Sequence, residues 1–237
     1  MVRRQGRQHR TSGASPAAWW NLCRRMIVMP SNNTGIEMGR LVGMYPGQLG
    51  HLLNPTRSTR THTWLPFAVD NGRFAATTAK QPWSGKQFLA YLDKVDAMGN
   101  APLWVVVPDV VGDATATLQS WPEWCAKLRR YGWPLAFAVQ DGMQPDDVPD
   151  DADVVFVGGT TAWKRRTMAM WCQQFARVHV GRINTARWLW ECYDAGAESC
   201  DGTGWFRGCD AQLDGLVSYL QRRARGLSNP RGAQLWQ

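Results

Sequence analysis

Five short polar sequences, far apart along the chain, each end a candidate strand: Asp70-Asn71-Gly72, Asp109 after Val107-Pro108, Gln140-Asp141-Gly142, Gly158-Gly159 and Asp201-Gly202, the first four directly after an apolar run. Carboxylates can serve as nucleophiles or as general acids and bases, an amide can read the edge of a heterocycle, and paired glycines expose backbone N–H groups. Taken singly, each is also ordinary turn chemistry: Asp-Asn-Gly and Asp-Gly form turns readily, and Asp113 or Ser84 can simply cap a helix. Together they say more, because carboxylates crowded into a half-buried pocket are costly unless they bind or catalyse.

Such residues meet only if the runs they terminate lie side by side in one direction. Strands are predicted at 26–30, 66–70, 103–108, 135–139, 154–158, 177–181 and 198–201, each ahead of a helix-compatible stretch. The best helices fall at 84–98, 114–130, 163–175, 184–195 and 209–225, with Ser84 and Asn184 as candidate N-caps. Runs such as Trp104-Val105-Val106-Val107 and Val154-Val155-Phe156-Val157 are continuously apolar, which burial of both sheet faces requires. The pattern predicts an α/β fold, a TIM-type (β/α)8 barrel, reduced or irregular because seven runs are one short of eight. The region 31–62, rich in Gly, Asn and Thr, holds either an irregular strand or a long loop. In a parallel barrel the strand ends share one mouth, so Asp70, Asp109, Gln140, Gly158, Gly159 and Asp201 would face a common cavity.

The 237 residues, 44% hydrophobic, suit one barrel-sized domain. We divide the chain into a basic arm over 1–22 carrying Arg3, Arg4, Arg7 and Arg10, a barrel over 23–226 and a tail over 227–237. A formal charge of +8 favours a polyanionic partner, with nucleic acid the leading class. Arg165, Arg166, Arg182, Arg187 and Arg207 are candidate phosphate contacts, although each alone is more readily a solvated surface charge. The six cysteines include no CxxC pair, so reduced, buried thiols are expected rather than a disulfide framework or a zinc module. Most of the 14 tryptophans are expected in the core. No apolar run is long enough to span a bilayer, and a cytoplasmic protein is expected.

From Val69 to about Gly204 the chain resembles the tRNA-guanine transglycosylases and their DNA-modifying relatives, which exchange guanine for a 7-deazaguanine. The family's Asp-Ser-Gly-Gly-Phe is similar to Asp70-Asn71-Gly72-Arg73-Phe74, its Val-Gln-Gly-Gly to Val139-Gln140-Asp141-Gly142, and its Gly-Gly to Gly158-Gly159. The resemblance implies Asp201 as nucleophile, Asp70 as general acid/base, and Asp109, Gln140, Gly158 and Gly159 as readers of the base, Asp113 being a weaker competitor of Asp109. The family's Pro-Thr-Arg is replaced by Gly202-Thr203-Gly204-Trp205, and its cysteine-rich zinc site has no counterpart, so no cofactor is expected. The compact length resembles the branch found among phage DNA-modification enzymes. DNA is therefore the favoured polymer and tRNA the alternative, with preQ0 or a derivative as the incoming base.

Three other readings stay open on the sequence: a hydrolytic N-glycosylase, a non-catalytic nucleic-acid-binding barrel, and a metabolic barrel that binds phosphate at Gly158-Gly159.

Overall fold

The computed structural model describes residues 26–31, 35–56 and 64–230. The basic arm, Trp19, Trp20 and Cys23 lie outside the described residues, as does the tail from 231 onwards.

Eight strands run parallel in one sheet: β1 (Ile27–Pro30), β2 (His51–Leu53), β3 (Phe67–Val69), β4 (Val105–Val106), β5 (Leu135–Val139), β6 (Val154–Val157), β7 (Val178–Val180) and β8 (Ser199–Gly202). Neighbours in sequence pair along the sheet, and β8 returns to β1 in register Ile27↔Ser199 to Pro30↔Gly202. The remaining seam closes through the bridges Val28↔Leu49 and Ser31↔Leu52, with the Gly50 N–H donating to Val28 O. This is a (β/α)8 TIM-type barrel.

Its helices are irregularly distributed. Among the described residues, α1 (Ile36–Met44) joins β1 to β2, α2 (Arg73–Thr78) and α3 (Gly85–Asp96) both lie between β3 and β4, and α4 (Ala114–Leu128) precedes β5. Then α5 (Thr161–Gln174), α6 (Ala186–Ala195) and α7 (Asp210–Ala224) follow β6, β7 and β8. Between β5 and β6 the acidic segment makes only a 3-10 turn, Pro145–Asp147. Its end is tied down by Asp151, which accepts from Trp121 Nε1 and pairs with Arg129.

Alternation along each strand sorts side chains into two layers. In β5, Leu135, Phe137 and Val139 pack outward under the helices, whereas Ala136 and Ala138 face the barrel axis. Those inward alanines are small because Trp104 and Phe156 fill the same interior, their rings 6.0 Å apart and edge to face.

Of the two alternatives for the 31–62 region the strand holds: the eighth strand is β2, three residues long and without flanking periodicity. One expectation needs correction. Asn184 does not cap α6: Thr185 Oγ1 accepts from the Trp188 N–H, and Asn184 Oδ1 instead accepts from Gly204 N. Ser84 does cap α3, accepting from Gln87 N. Trp121, Trp124 and Trp190 are buried; so are Cys125, Cys192 and Cys200, while Cys209 is exposed. No helix among the described residues is long and apolar enough to cross a membrane.

Candidate active site

Each residue of interest sits within a few residues of the C-terminal end of its strand, so the barrel carries all of them to one end. Asp70 follows β3, and its backbone N–H still bonds to Leu53 O of β2. Its carboxylate accepts from Asn54 Nδ2 at 2.8 Å and from the Gly72 N–H at 3.3 Å. Burial is the main force raising this carboxyl to about 7, followed by the negative charge of Asp201 and, more weakly, of Asp109. The parallel strand order carries all three aspartates to the same end of the barrel.

Asp109, at the end of β4, is buried. Asn71 Nδ2 donates to its Oδ1 and Gln140 Nε2 to its Oδ2, both at 2.8 Å. Burial raises its pKa, and the two amides and Arg73 oppose that rise. A carboxylate has about four acceptor sites, so two amides leave room for about two further donors. Gln140 is itself fixed: Oε1 takes the Gly112 N–H at 3.1 Å, which leaves one amide hydrogen uncommitted. Asp113 has a different task, capping α4 by accepting from Ala116 N.

After β6 the backbone turns sharply. Gly159 has φ of +67°, and a Cβ there would lie 2.2 Å from Asp141 Oδ1 and 2.8 Å from the Trp163 ring. Glycine is therefore required. Asp141 accepts from both Thr160 N and Thr160 Oγ1 at 2.6 Å, so it anchors the glycine turn. Gly158 lies beside the Gln140 amide, 3.9 Å from Nε2 to a Cβ built on it.

Asp201 is the third residue of β8 and is buried. Its Oδ1 accepts from the Arg182 N–H at 3.0 Å and lies 3.1 Å from His179 Nε2. Arg182 adopts φ of +61°, rare for a residue with a side chain. Its guanidinium donates to Gly159 O and stacks over the exposed Phe74 ring at 4.4 Å. One side chain thus spans the ends of β7, β6 and β3.

Lys164 of α5 is buried and donates to Gly181 O. Burial, then the Arg182 charge, lower its amine to about 8, while Asp201 acts in the opposite direction. Asn54, His179 and Lys164 are site residues that sequence reasoning missed. Asn54 repeats the polar-after-apolar signal on the strand that was not recognised. His179 is visible as a polar residue between two strand valines, and Lys164 has no signal separating it from Arg165 and Arg166.

Of the five candidate arginines only Arg182 lies in the mouth. Arg165 and Arg187 share Glu191 on the outer helices, at 2.8 Å each, and Arg166 and Arg207 are exposed. Among the described residues, no cluster of three or more His, Cys, Asp or Glu could hold a metal ion.

No family model and no curated protein matches the chain. Among solved structures it is similar to one titled "Native KDPGal structure", at 11% identity over 85% of this chain and 95% of that one, with a TM-score of 0.49. The barrel assignment rests on this chain's own strand order and register.

Proposed function

We propose that this barrel is a base-exchange transglycosylase that replaces guanine in a polynucleotide, DNA in preference to tRNA, with a 7-deazaguanine such as preQ0. The observation that carries the reading is the grouping of Asp70, Asp109 and Asp201 at one mouth in three different settings. Asp70 is half-buried with its carboxyl near 7, Asp109 is clasped by two amides, and Asp201 has one oxygen occupied by donors.

In this scheme Asp201 attacks C1′ of the target nucleotide, the C1′–N9 bond breaks, and Asp70 delivers a proton to the departing guanine. The incoming base returns its N9 proton to Asp70 and attacks C1′ from the face guanine left, releasing Asp201. Two inversions retain the β-configuration. Asp109, oriented by Asn71 and Gln140, accepts from the N1–H and exocyclic amine of guanine, and a base lacking those donors leaves buried acceptors unpaired. The Gly159 backbone N–H supplies a donor for the O6 edge, whereas that of Gly158 is held by Val139 O.

A base in a duplex must first leave the stack, at a cost of a few kcal/mol, which contacts between the basic protein and flanking phosphates offset. Arg182 is the best-placed cation for a phosphate or for the flipped nucleotide.

The test is nucleoside mass spectrometry after incubating the protein with duplex DNA and, separately, with tRNA, each with labelled guanine and a panel of 7-deazaguanines. Incorporation into one polymer, lost by at least about 1,000-fold in Asp201→Asn, is the expected result. An abasic product points to a hydrolytic glycosylase. Binding without any product, at full folding, sinks both catalytic readings.

A further inference from the structure

His179 is the middle residue of β7, between Val178 and Val180, and has no solvent exposure. An imidazole inside an apolar barrel is costly unless its nitrogens are satisfied. Here Nδ1 lies 2.8 Å from Ser199 Oγ and Nε2 lies 3.1 Å from Asp201 Oδ1. The ring is clamped by Phe156, stacked at 4.8 Å and 27°, and by the edge of Trp104 at 4.7 Å. Its orientation is therefore determined twice, by packing and by hydrogen bonding.

Proton bookkeeping gives this chain a direction. A carboxylate only accepts, so the contact to Asp201 requires the proton on Nε2. In the neutral imidazole Nδ1 is then an acceptor, and the Ser199 hydroxyl must donate to it. Asp201 Oδ1 receives the Arg182 N–H as a second donor. Among the described residues no donor reaches Oδ2.

We infer that His179 is a positioning residue: with Ser199 behind it, it donates to Asp201 Oδ1, fixes the carboxylate rotamer and leaves Oδ2 as the oxygen that bonds to the sugar. The inference rests on the transglycosylase reading, because it assigns a role within the same site. The imidazole itself touches no substrate; it acts through Asp201, from one layer deeper in the barrel.

Two measurements on the full-length protein test it. Long-range 1H–15N spectra of the histidine side chains should show His179 as the Nε2–H tautomer with an unprotonated Nδ1. The Nδ1–H tautomer would overturn the inference whatever reaction the protein performs.

The second measurement compares His179→Gln, His179→Asn and His179→Phe in single-turnover formation of the covalent adduct. Glutamine can place its amide N–H near the position of Nε2, asparagine reaches only that of Nδ1, and phenylalanine keeps the shape alone. Asparagine and phenylalanine should slow the step by about 10- to 100-fold, the range that orienting partners carry, with KM for the polynucleotide unchanged and glutamine recovering most of the rate. Equal losses in all three would assign His179 to core packing, and an unimpaired His179→Phe would remove it from the mechanism. Should the wild-type protein form no adduct at all, the transglycosylase reading falls, and the tautomer still decides the donor role. The spectrum also decides it if a variant fails to fold.

Discussion

Gln140 Nε2 donates to Asp109 Oδ2 at 2.8 Å while Gln140 Oε1 accepts the Gly112 N–H at 3.1 Å. Both ends of the amide are spoken for, so its orientation is set, and it presents a donor where the buried aspartate needs one. Exchanging that donor for an acceptor should be felt at once. In Gln140→Glu two carboxylates would face each other, which raises their pKa values and makes the protein lose stability as pH rises. We expect about 1–3 kcal/mol of destabilisation at about pH 8, shrinking towards about pH 5, together with loss of guanine discrimination. Urea unfolding at the two pH values, with base competition in the exchange assay, checks both effects.

Asp70 provides a pH dependence of its own. Its folded pKa, about 7, lies above the unfolded carboxylate value of roughly 3.9. Between these values the native state binds more protons than the unfolded chain, so stability present below about 4 is lost as pH rises through about 7. Asp70→Asn removes the titration. The variant should be more stable than wild type near pH 8 by on the order of 2 kcal/mol, allowing for solvent screening, and the gap should close towards about pH 4. Parallel unfolding curves across that range would show that the carboxyl is unperturbed. Under the proposed transglycosylase function, the same protonation should make departure of guanine slow as pH rises through about 7, which a pH series of adduct formation measures.

The glycine turn after β6 gives a packing prediction. Gly159→Ala places a methyl group 2.2 Å from Asp141 Oδ1 at a positive φ. It should cost about 1–3 kcal/mol in thermal unfolding. Adding Asp141→Ala removes the closer clash, leaves that with the Trp163 ring and also releases Thr160, so the double variant should lose less than the sum of the two singles. Strict additivity would mean that the two residues do not meet.

Under the proposed function, Arg182 and Arg165 make a paired test of which arginines would serve the polymer. Arg182→Ala removes the cation at the mouth and should weaken polynucleotide binding by about 10-fold, reducing the salt slope by about one. Arg165 is already held by Glu191 on an outer helix, and its alanine variant should change affinity by less than about 2-fold. Binding titrations at several salt concentrations decide between them. Equal effects would move the polynucleotide path onto the helices.

Much of the barrel was legible in the sequence because its physics is local. Continuously apolar β-branched runs such as Val154–Val157 predict strands buried on both faces, and Ser84 ahead of an amphipathic stretch predicts a capped helix. The recurrence of Asp, Gln or Gly directly after such runs predicted a common mouth once the strands were taken as parallel. What stayed hidden depended on partners distant in sequence. The three-residue β2 owes its place to neighbours on both sides, and with it Asn54 went unseen as a partner of Asp70. Nothing near Asp141 announces that it restrains Thr160, 19 residues away, and Arg182 reaches back 23 residues to Gly159. Residue types and strand periodicity thus determined the architecture and the roster of carboxylates. Tertiary structure alone decided their differing environments, because burial, neighbouring charge and hydrogen-bond donors exist only after the strands have closed around them.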